Sequence, residues 1–247
     1  MFKSLVRLLS APGASSDTPY RYEPETSIAL HTASSLSGLF RKKTQLTDTV
    51  LLALLGDEAV CAAWHGDAGA AAGALEEAIL GTADTESNRD GWHPRASLAL
   101  HAAWDRAAAR SRPVTRGDLL SGLAGSGGLV GKLVREGAPD LARLDVADPP
   151  IGGKEPPADT RADERVRVVV VNDDSTTQEF VLEMLRERFG LTHLRARHVM
   201  FRTHFLGEAV VCEDAFDAAR ARIRDVEAAA RTAGFPLHFR IAMLPAP

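Results

Sequence analysis

Residues 166–181 read VRVVVVNDDSTTQEFV, and this stretch decides the fold of the last third of the chain. A run of valines is typical of a buried β-strand, because β-branched side chains favour a packed, pleated surface. The run ends at Asn172–Asp174, where polar turn residues follow directly. Thr176 and Thr177 then offer hydroxyl groups that can cap a helix. The stretch therefore predicts a strand, a turn and a helix in close succession.

The sequence after this stretch predicts a small α+β domain. Glycines predict the ends of its first two helices: the first ends at Gly190, and the second runs from about His193 to Phe205 and ends at Gly207. A strand at 209–212 follows, and then a helix from a cap at Asp214 to about Thr232. An alternating pattern predicts a last strand at 236–244. The order β-α-α-β-α-β predicts a small antiparallel sheet with helices on one face.

The composition is that of a globular protein with room for one large or two modest domains, since 45% of its 247 residues are hydrophobic. A net charge of −4 gives no concentrated basic surface for nucleic acid. No segment reaches the roughly 18 apolar residues of a membrane-spanning helix. Cys61 and Cys212 lie far apart, without the spacing of a zinc site or a disulfide scaffold. We expect a cytoplasmic protein with no metal, no nucleic-acid partner and no membrane partner.

A composition change at residues 146–164 predicts a linker between two domains. The sequence ADPPIGGKEPPADTRADE at 147–164 contains four prolines, two glycines and seven charged residues, which is typical of a semi-extended tether. We expect residues 1–22 to be a flexible leader, 23–145 to be a helical domain and 165–247 to be the α+β domain.

Two segments of the first domain resemble each other in sequence. Residues 27–40, SIALHTASSLSGLF, resemble residues 96–109, ASLALHAAWDRAAA, with His31 aligned to His101. A single helical unit of this kind could not bury its apolar stripe, so two stacked copies predict an all-α double-repeat bundle. His31 has no acidic or cysteine companion three or four residues on, and His101 has only Asp105, so we interpret both as packing residues.

Two threonines in this domain are predicted helix caps. Thr47 and Thr115 each precede a run whose apolar residues recur at three- and four-residue spacing, which indicates an amphipathic helix. Thr115 and Asp118 also have the spacing of a capping box.

The first domain resembles the amino-terminal domain of the Clp ATPases, a double repeat of four-helix units that docks adaptors and substrates. The matching features are A-L-x-x-A in the first helix, T-x-x-x-L-L-x-x-L in the second and a closing leucine-rich helix. The nucleotide-binding pattern G-x-x-x-x-G-K-[ST] does not occur in the sequence. We therefore do not expect this domain to power unfolding by itself.

The polar turn in the second domain predicts a binding site for a cationic amine. The amide of Asn172, the carboxylate of Asp173 and the imidazole of His204 would together accept hydrogen bonds from an ammonium group. Such charge-assisted bonds contribute about 1.5–3 kcal/mol each. An adjoining apolar recess would hold the first side chain of a peptide. The alternative is an ordinary turn, in which Asn and Asp bond their own backbone.

Residues 166 to about 244 resemble the Clp protease adaptor family ClpS. The matching segments are V-V-V-V-N-D-D-S-T-T-Q-E-F-V, M-x-x-x-H, G-E-A-V-V and G-F-P-L. The resemblance implies a non-catalytic adaptor that recognises proteins beginning with Phe, Leu, Tyr or Trp and passes them to a Clp ATPase for degradation. It implies three groups of residues: Asn172, Asp173 and His204 for the amino group, Thr176, Gln178, Val181, Met200 and Thr203 for the side-chain pocket, and Asp217 and Arg222 for docking to the ATPase amino-terminal domain.

Four positions depart from the family pattern, namely Ser175, Thr177, Gln178 and Thr203, and two of them belong to the pocket. Gln178 stands where the family has a methionine at the pocket rim, and Thr203 replaces an apolar pocket residue. Polar groups at a pocket wall weaken purely apolar anchoring, so we expect an altered preference for the first residue of the substrate.

An enzyme is the first alternative to an adaptor. A hydrolase needs an activated nucleophile, but Ser175 lacks the glycines of a nucleophile elbow. Cys212 has no charged activator in the apolar run before it. Glu179 and Glu183 are most simply the solvated face of a helix. We therefore expect no catalytic residue and no cofactor.

An interaction scaffold is the second alternative, in which the recess is altered or vestigial and the two domains only join partners. Because the resembled adaptor docks on the amino-terminal domain of the ATPase, the two domains of this chain could also contact each other. The sequence leaves open whether such a contact makes the protein an autoinhibited regulator of Clp.

Overall fold

The computed structural model describes residues 22–42, 46–81, 92–146, 151 and 153–244. The chain divides into two compact units, Met1–Ala147 and Asp148–Pro247. The predicted leader, except Tyr22, lies outside the described residues. Throughout the described ranges, no helix is both long enough and apolar enough to cross a membrane.

The first unit is mostly helical, as predicted. Its described helices are α1 Pro24–Leu39, α2 Thr47–Leu54, α3 Glu58–Ala63, α4 Ala68–Gly81, α5 Pro94–Ala108, α6 Arg116–Ala124, α7 Gly128–Gly137 and α8 Leu141–Leu144. Helix α1 packs against α2, and α5 packs against α6. The double repeat stays a prediction.

One of the two predicted threonine caps in this unit is confirmed. Thr115 Oγ1 accepts a hydrogen bond from Asp118 N, and the Asp118 carboxylate accepts one from Thr115 N at 3.0 Å, which is a reciprocal capping box. The prediction for Thr47 is wrong, because this residue is already the first of α2 and Leu46 holds the cap position. The hydroxyl of Thr49 accepts the hydrogen bond from Leu46 N instead.

The carboxylate of Asp145, near the end of the first unit, contacts the residue that caps α6 and two arginines. Asp145 accepts hydrogen bonds from Thr115 Oγ1 at 2.8 Å and from Arg106 at 3.0 Å, and it forms an ion pair with Arg112 at 2.9 Å. Burial acts to raise the pKa of Asp145, but these hydrogen bonds and arginine charges outweigh it. The pKa of Asp145 therefore lies below its ordinary value.

The second unit has the predicted order of elements. They are β1 Arg165–Val171, α9 Gln178–Glu187, α10 His193–Leu206, β2 Glu208–Ala215, α11 Phe216–Thr232 and β3 His238–Met243. Within the described part of the chain, the strands form an antiparallel sheet of order β2-β1-β3. The alternate residues Val166, Val168 and Val170 are fully buried in the main core, which contains side chains of all three helices. The α+β architecture is confirmed.

The predicted cap at Asp214 is wrong. Strand β2 continues to Ala215, so Asp214 lies in the sheet opposite Val166 and pairs with Arg222 at 3.0 Å. Helix α11 begins without a side-chain cap. Its first two N–H groups, at Phe216 and Asp217, donate to backbone carbonyl groups of residues 164 and 162 at 2.9 and 3.1 Å.

The segment predicted as a linker contributes to the second unit. We call its described part, residues 151 and 153–164, the strap. Ile151 is buried and packs with Val169 and Ala242 on the face of the sheet away from the main core. Met243 N donates to the carbonyl of Lys154 at 3.0 Å. The strap therefore has a buried side chain and a backbone partner on β3, although its composition predicts nothing to bury.

Candidate functional site

The end of β1 and the end of α10 are joined by a backbone hydrogen bond. Asn172 N donates to the carbonyl of Gly207 at 2.8 Å. Gly207 has φ +87°, a left-handed conformation that ends α10, and its own N–H donates to Thr203 O at 2.8 Å. Because of this junction, the turn at Asn172 and Asp173 lies beside the last turns of α10, which carry His204.

A recess opens at this junction and contains about 370 Å³ of empty space, part of it open to solvent. Every residue predicted for the amino group and for the side-chain pocket lines it: Asn172, Asp173, Thr176, Gln178, Val181, Met200, Thr203 and His204. Val170, Val171 and Leu237 complete the lining. The structure therefore brings together residues from the end of β1, the start of α9, the end of α10 and the approach to β3.

The Asp173 carboxylate is held by its own turn. Its Oδ1 atom accepts hydrogen bonds from the N–H groups of Ser175 and Thr176, at 2.9 and 2.6 Å. Its Oδ2 atom accepts one from Thr176 Oγ1 at 2.7 Å. The turn that the sequence offered as an alternative to a binding site is thus present, and the same carboxylate also lines the recess. A carboxylate has about four acceptor positions, so one remains for a ligand.

The wall of the recess is largely apolar. Met200 and Leu237 are buried, and Val181 is half-buried. Thr203 is also buried, but its hydroxyl donates to Val199 O in its own helix at 2.8 Å. Its hydrogen is therefore already used, and Thr203 adds less polarity to the wall than its residue type suggests.

Gln178 differs from Val181, Met200, Thr203 and Leu237 because it is exposed. It is the first residue of α9, next to the cap Thr177, whose hydroxyl accepts a hydrogen bond from Phe180 N at 3.4 Å. The polar side chain thus lies where water reaches it, so its polarity carries little desolvation cost at this position.

Three residues of the lining were not predicted. Val170 and Val171 end the valine run, and their position next to Asn172 was the available signal. Leu237 belongs to the G-F-P-L segment that forms part of the family resemblance, but it is far from the turn in sequence. Only the pairing of β3 with β1, which sets Phe239 opposite Val170, brings Leu237 to the recess.

The predicted docking residues lie on α11 and do not line the recess. Asp217 is exposed at the start of the helix. Arg222 pairs with Asp214, and its guanidinium carbon lies 5.7 Å from the centre of the Phe189 ring. On the adjacent strand, burial raises the pKa of the Cys212 thiol despite the opposing charge of Arg222. A thiol that stays protonated is a poor nucleophile.

Comparison with known proteins assigns the second unit. The model of the family described as ATP-dependent Clp protease adaptor protein ClpS matches residues 161–240. The ATP-dependent Clp protease adapter protein ClpS of Leptospira biflexa is 37% identical over 79 residues, which are 32% of this chain and 70% of that protein. This chain belongs to the ClpS family. The ClpS of Acetivibrio thermocellus is 37% identical over 84 residues, covering 34% of this chain and 85% of that protein.

A solved structure of Agrobacterium tumefaciens ClpS2 bound to L-phenylalaninamide is 33% identical in sequence. The match covers 32% of this chain and 95% of that chain, with a TM-score of 0.31. The ClpS match falls in the second unit and includes every residue that lines the recess. The prediction of a Clp protease adaptor is confirmed at the level of the family, whose named members are adaptors rather than enzymes.

Proposed function

We propose that the ClpS unit binds the free amino terminus of a polypeptide through Asn172, Asp173 and His204, and its first side chain in the recess. What carries the proposal is a single recess with a carboxylate, an amide and an imidazole beside an apolar wall. An α-amino group has a pKa of about 7.7–8.0, so it is mostly ammonium at neutral pH and donates three hydrogen bonds. The three polar side chains offer matching acceptors.

The lining of the recess favours an apolar side chain. Buried Met200 and Leu237 would pack against an apolar side chain, and the Thr203 hydroxyl is already bonded. We therefore propose bulky hydrophobic first residues as the substrate class. The exposed amide of Gln178 would contact the outer part of that side chain.

The partner in this proposal is the amino-terminal domain of a Clp-family ATPase. Helix α11 would dock to it through Asp217 and Arg222, at a surface separate from the recess, so that the adaptor holds substrate and ATPase together. We further propose that the first unit is a Clp ATPase amino-terminal type of domain on the same chain. Such a domain could occupy the docking surface of the ClpS unit and regulate delivery.

The test of amino-group binding is fluorescence anisotropy with the full chain and labelled peptides that begin with Phe, Leu, Trp, Met or Val. Each peptide is also measured with its amino group acetylated. We expect tight binding of the free peptides with apolar bulky first residues and weak binding of every acetylated one. The double variant Asp173→Ala, His204→Ala should abolish binding. Asp174→Ala is the matched control, because Asp174 is the exposed neighbouring carboxylate outside the lining.

The opposite outcome distinguishes the alternative function. If acetylated and free peptides bind equally, or the double variant binds like the wild type, the recess does not bind the amino group. The interaction scaffold then becomes the better account of the ClpS unit.

Docking is tested separately, by measuring the affinity of the chain for an isolated Clp ATPase amino-terminal domain. Asp217→Ala and Arg222→Ala should each weaken this affinity without changing peptide binding. Asp214→Asn is the control, because it removes the negative charge that pairs with Arg222 and leaves both proposed docking residues in place. Unchanged affinity in the first two variants would show that the docking surface lies elsewhere on the chain.

A further inference from the structure

The two oxygen atoms of the Asp173 carboxylate are not equivalent. Oδ1 accepts from two main-chain N–H groups, those of Ser175 and Thr176, at 2.9 and 2.6 Å. Within the described residues, Oδ2 has the Thr176 hydroxyl as its partner, at 2.7 Å. Because a carboxylate oxygen has two acceptor positions, Oδ1 is filled by the turn, and Oδ2 retains one position for a further donor.

The Thr176 hydroxyl has a single hydrogen, which it donates in the hydrogen bond to Asp173 Oδ2. An ionised carboxylate can only accept, so the hydroxyl is the donor in this bond. Thr176 therefore has no hydroxyl hydrogen left for a ligand in the recess. What it supplies is the orientation of Oδ2, the oxygen with remaining acceptor capacity.

We propose that Thr176 is a positioning residue, whose hydroxyl fixes Asp173 Oδ2 as the acceptor for the amino group bound in the recess. This inference rests on the proposed function of the site. The two main-chain bonds to Oδ1 restrain the carboxylate at one atom and leave rotation about that atom. The third bond, to Oδ2, removes this rotation before a ligand arrives, so the ligand does not have to order the side chain on binding.

Thr203 provides a matched control in the same lining. Both residues are threonines, and both hydroxyls are bonded. The Thr203 hydroxyl donates to Val199 O in its own helix at 2.8 Å, and it makes no bond to Asp173. Changing either residue to valine removes one bonded hydroxyl and keeps the branched shape, but only the change at Thr176 removes a hydrogen bond to Asp173.

The measured quantity is a ratio of dissociation constants, that of the acetylated peptide divided by that of the free peptide, for one peptide beginning with Phe. Thr176→Val in the full chain should lower this ratio by about two- to tenfold, the cost of ordering one freed side chain. Thr176→Ser, which keeps the hydroxyl, should restore the wild-type ratio. Thr203→Val is expected to change both dissociation constants together and leave the ratio unchanged. Thr176→Ala replaces Thr176→Val if that variant does not fold, with the same expectation.

The outcomes separate this inference from the function on which it rests. If the wild-type ratio is close to one, amino-group binding itself fails, and the positioning role fails with it. If the wild type binds the free peptide more tightly than the acetylated one and Thr176→Val keeps the full ratio, amino-group binding is supported and Thr176 is not a positioning residue. An equal drop in Thr203→Val, or a drop in Thr176→Ser, would also overturn the inference.

Discussion

Replacing Gly153 by alanine is expected to release the start of the strap, as far as Lys154, from the sheet while the rest of the ClpS unit stays folded. Gly153 has φ +129°, a conformation that residues with a Cβ rarely adopt. A Cβ at this position would also lie 2.7 Å from Met243 O and 2.9 Å from the Cβ of Ala242. Both atoms belong to β3, which is paired with β1 and cannot move away cheaply.

The strap's own contacts limit how large the effect can be. Release as far as Lys154 exposes Ile151, which costs about 1.5–3 kcal/mol, and it breaks the bond from Met243 N to Lys154 O, which costs about 0.5–1.5 kcal/mol; the bonds from the start of α11 to residues 162 and 164 stay in place. Each freed residue regains about 1–2 kcal/mol of conformational entropy, which offsets much of this loss. We therefore expect the free energy of unfolding to fall by at most about 2 kcal/mol, with a much larger local effect.

Amide hydrogen exchange measures that local effect. In the Gly153→Ala variant of the full chain, the Met243 N–H should lose its protection, because its acceptor leaves with the strap. Gly190→Ala is the control: Gly190 also has a positive φ, +68°, but a Cβ there meets no atom within 4 Å. It should cost about 1–2 kcal/mol of backbone strain and leave Met243 protected. Undiminished protection in Gly153→Ala, or equal loss in Gly190→Ala, would refute the packing argument.

Three further predictions each concern a single side chain. Because the pKa of Asp145 is lowered in the folded protein, its contribution to stability is present above the unfolded pKa of about 3.9 and is lost as the pH falls through the folded pKa. Asp145→Asn should therefore lower the urea midpoint at pH 7, and the difference from the wild type should shrink below about pH 4. Glu227→Ala removes the acceptor of Phe239 N, 3.1 Å away, and should destabilise by about 1–3 kcal/mol in urea unfolding, whereas Glu227→Gln keeps an oxygen and should cost less. Because burial raises the pKa of Cys212, a Cys61→Ser variant should react with a thiol reagent at pH 8 far more slowly when folded than in urea, and equal rates would contradict the burial.

The elements of the ClpS unit could be predicted because their signals are local. A run of β-branched residues, threonines before an apolar run and glycines after one act within a few residues, and Thr177, Gly190 and Gly207 end or cap helices as expected. Asp214 carries the same kind of local signal as a cap. Its failure is due to strand pairing, because β2 extends along β1 as far as Ala215 and takes Asp214 into the sheet.

The strap could not be predicted for a related reason. Prolines, glycines and charges indicate that a segment cannot form a core of its own, but they do not exclude packing on a core formed by other residues. Ile151 is the only isoleucine, leucine or valine between residues 147 and 164, and it is the residue that packs on the sheet. Its partners Val169 and Ala242 lie on two strands that are distant in sequence.

Most residues of the recess could be predicted, but their hydrogen bonds could not. The family resemblance supplied eight of the eleven residues that line the recess, and the junction of Asn172 with Gly207 explains why they meet. The sequence suggested that Thr203 makes the wall polar, since residue type alone does not show that its hydroxyl is bonded within the helix. Similarly, the turn and the amine site looked like competing interpretations of Asp173, but in the structure one carboxylate both accepts the hydrogen bonds of the turn and lines the recess.

The most direct test of amino-group recognition compares the wild-type chain with one peptide beginning with Phe, with and without an acetyl group on its amino terminus, by isothermal titration at neutral pH. Acetylation removes the charge and two of the three hydrogens and leaves the side chain unchanged. Losing two charge-assisted hydrogen bonds of about 1.5–3 kcal/mol each should weaken binding by about a hundredfold or more. Equal dissociation constants for the two peptides would contradict the proposal that Asn172, Asp173 and His204 bind a free amino terminus.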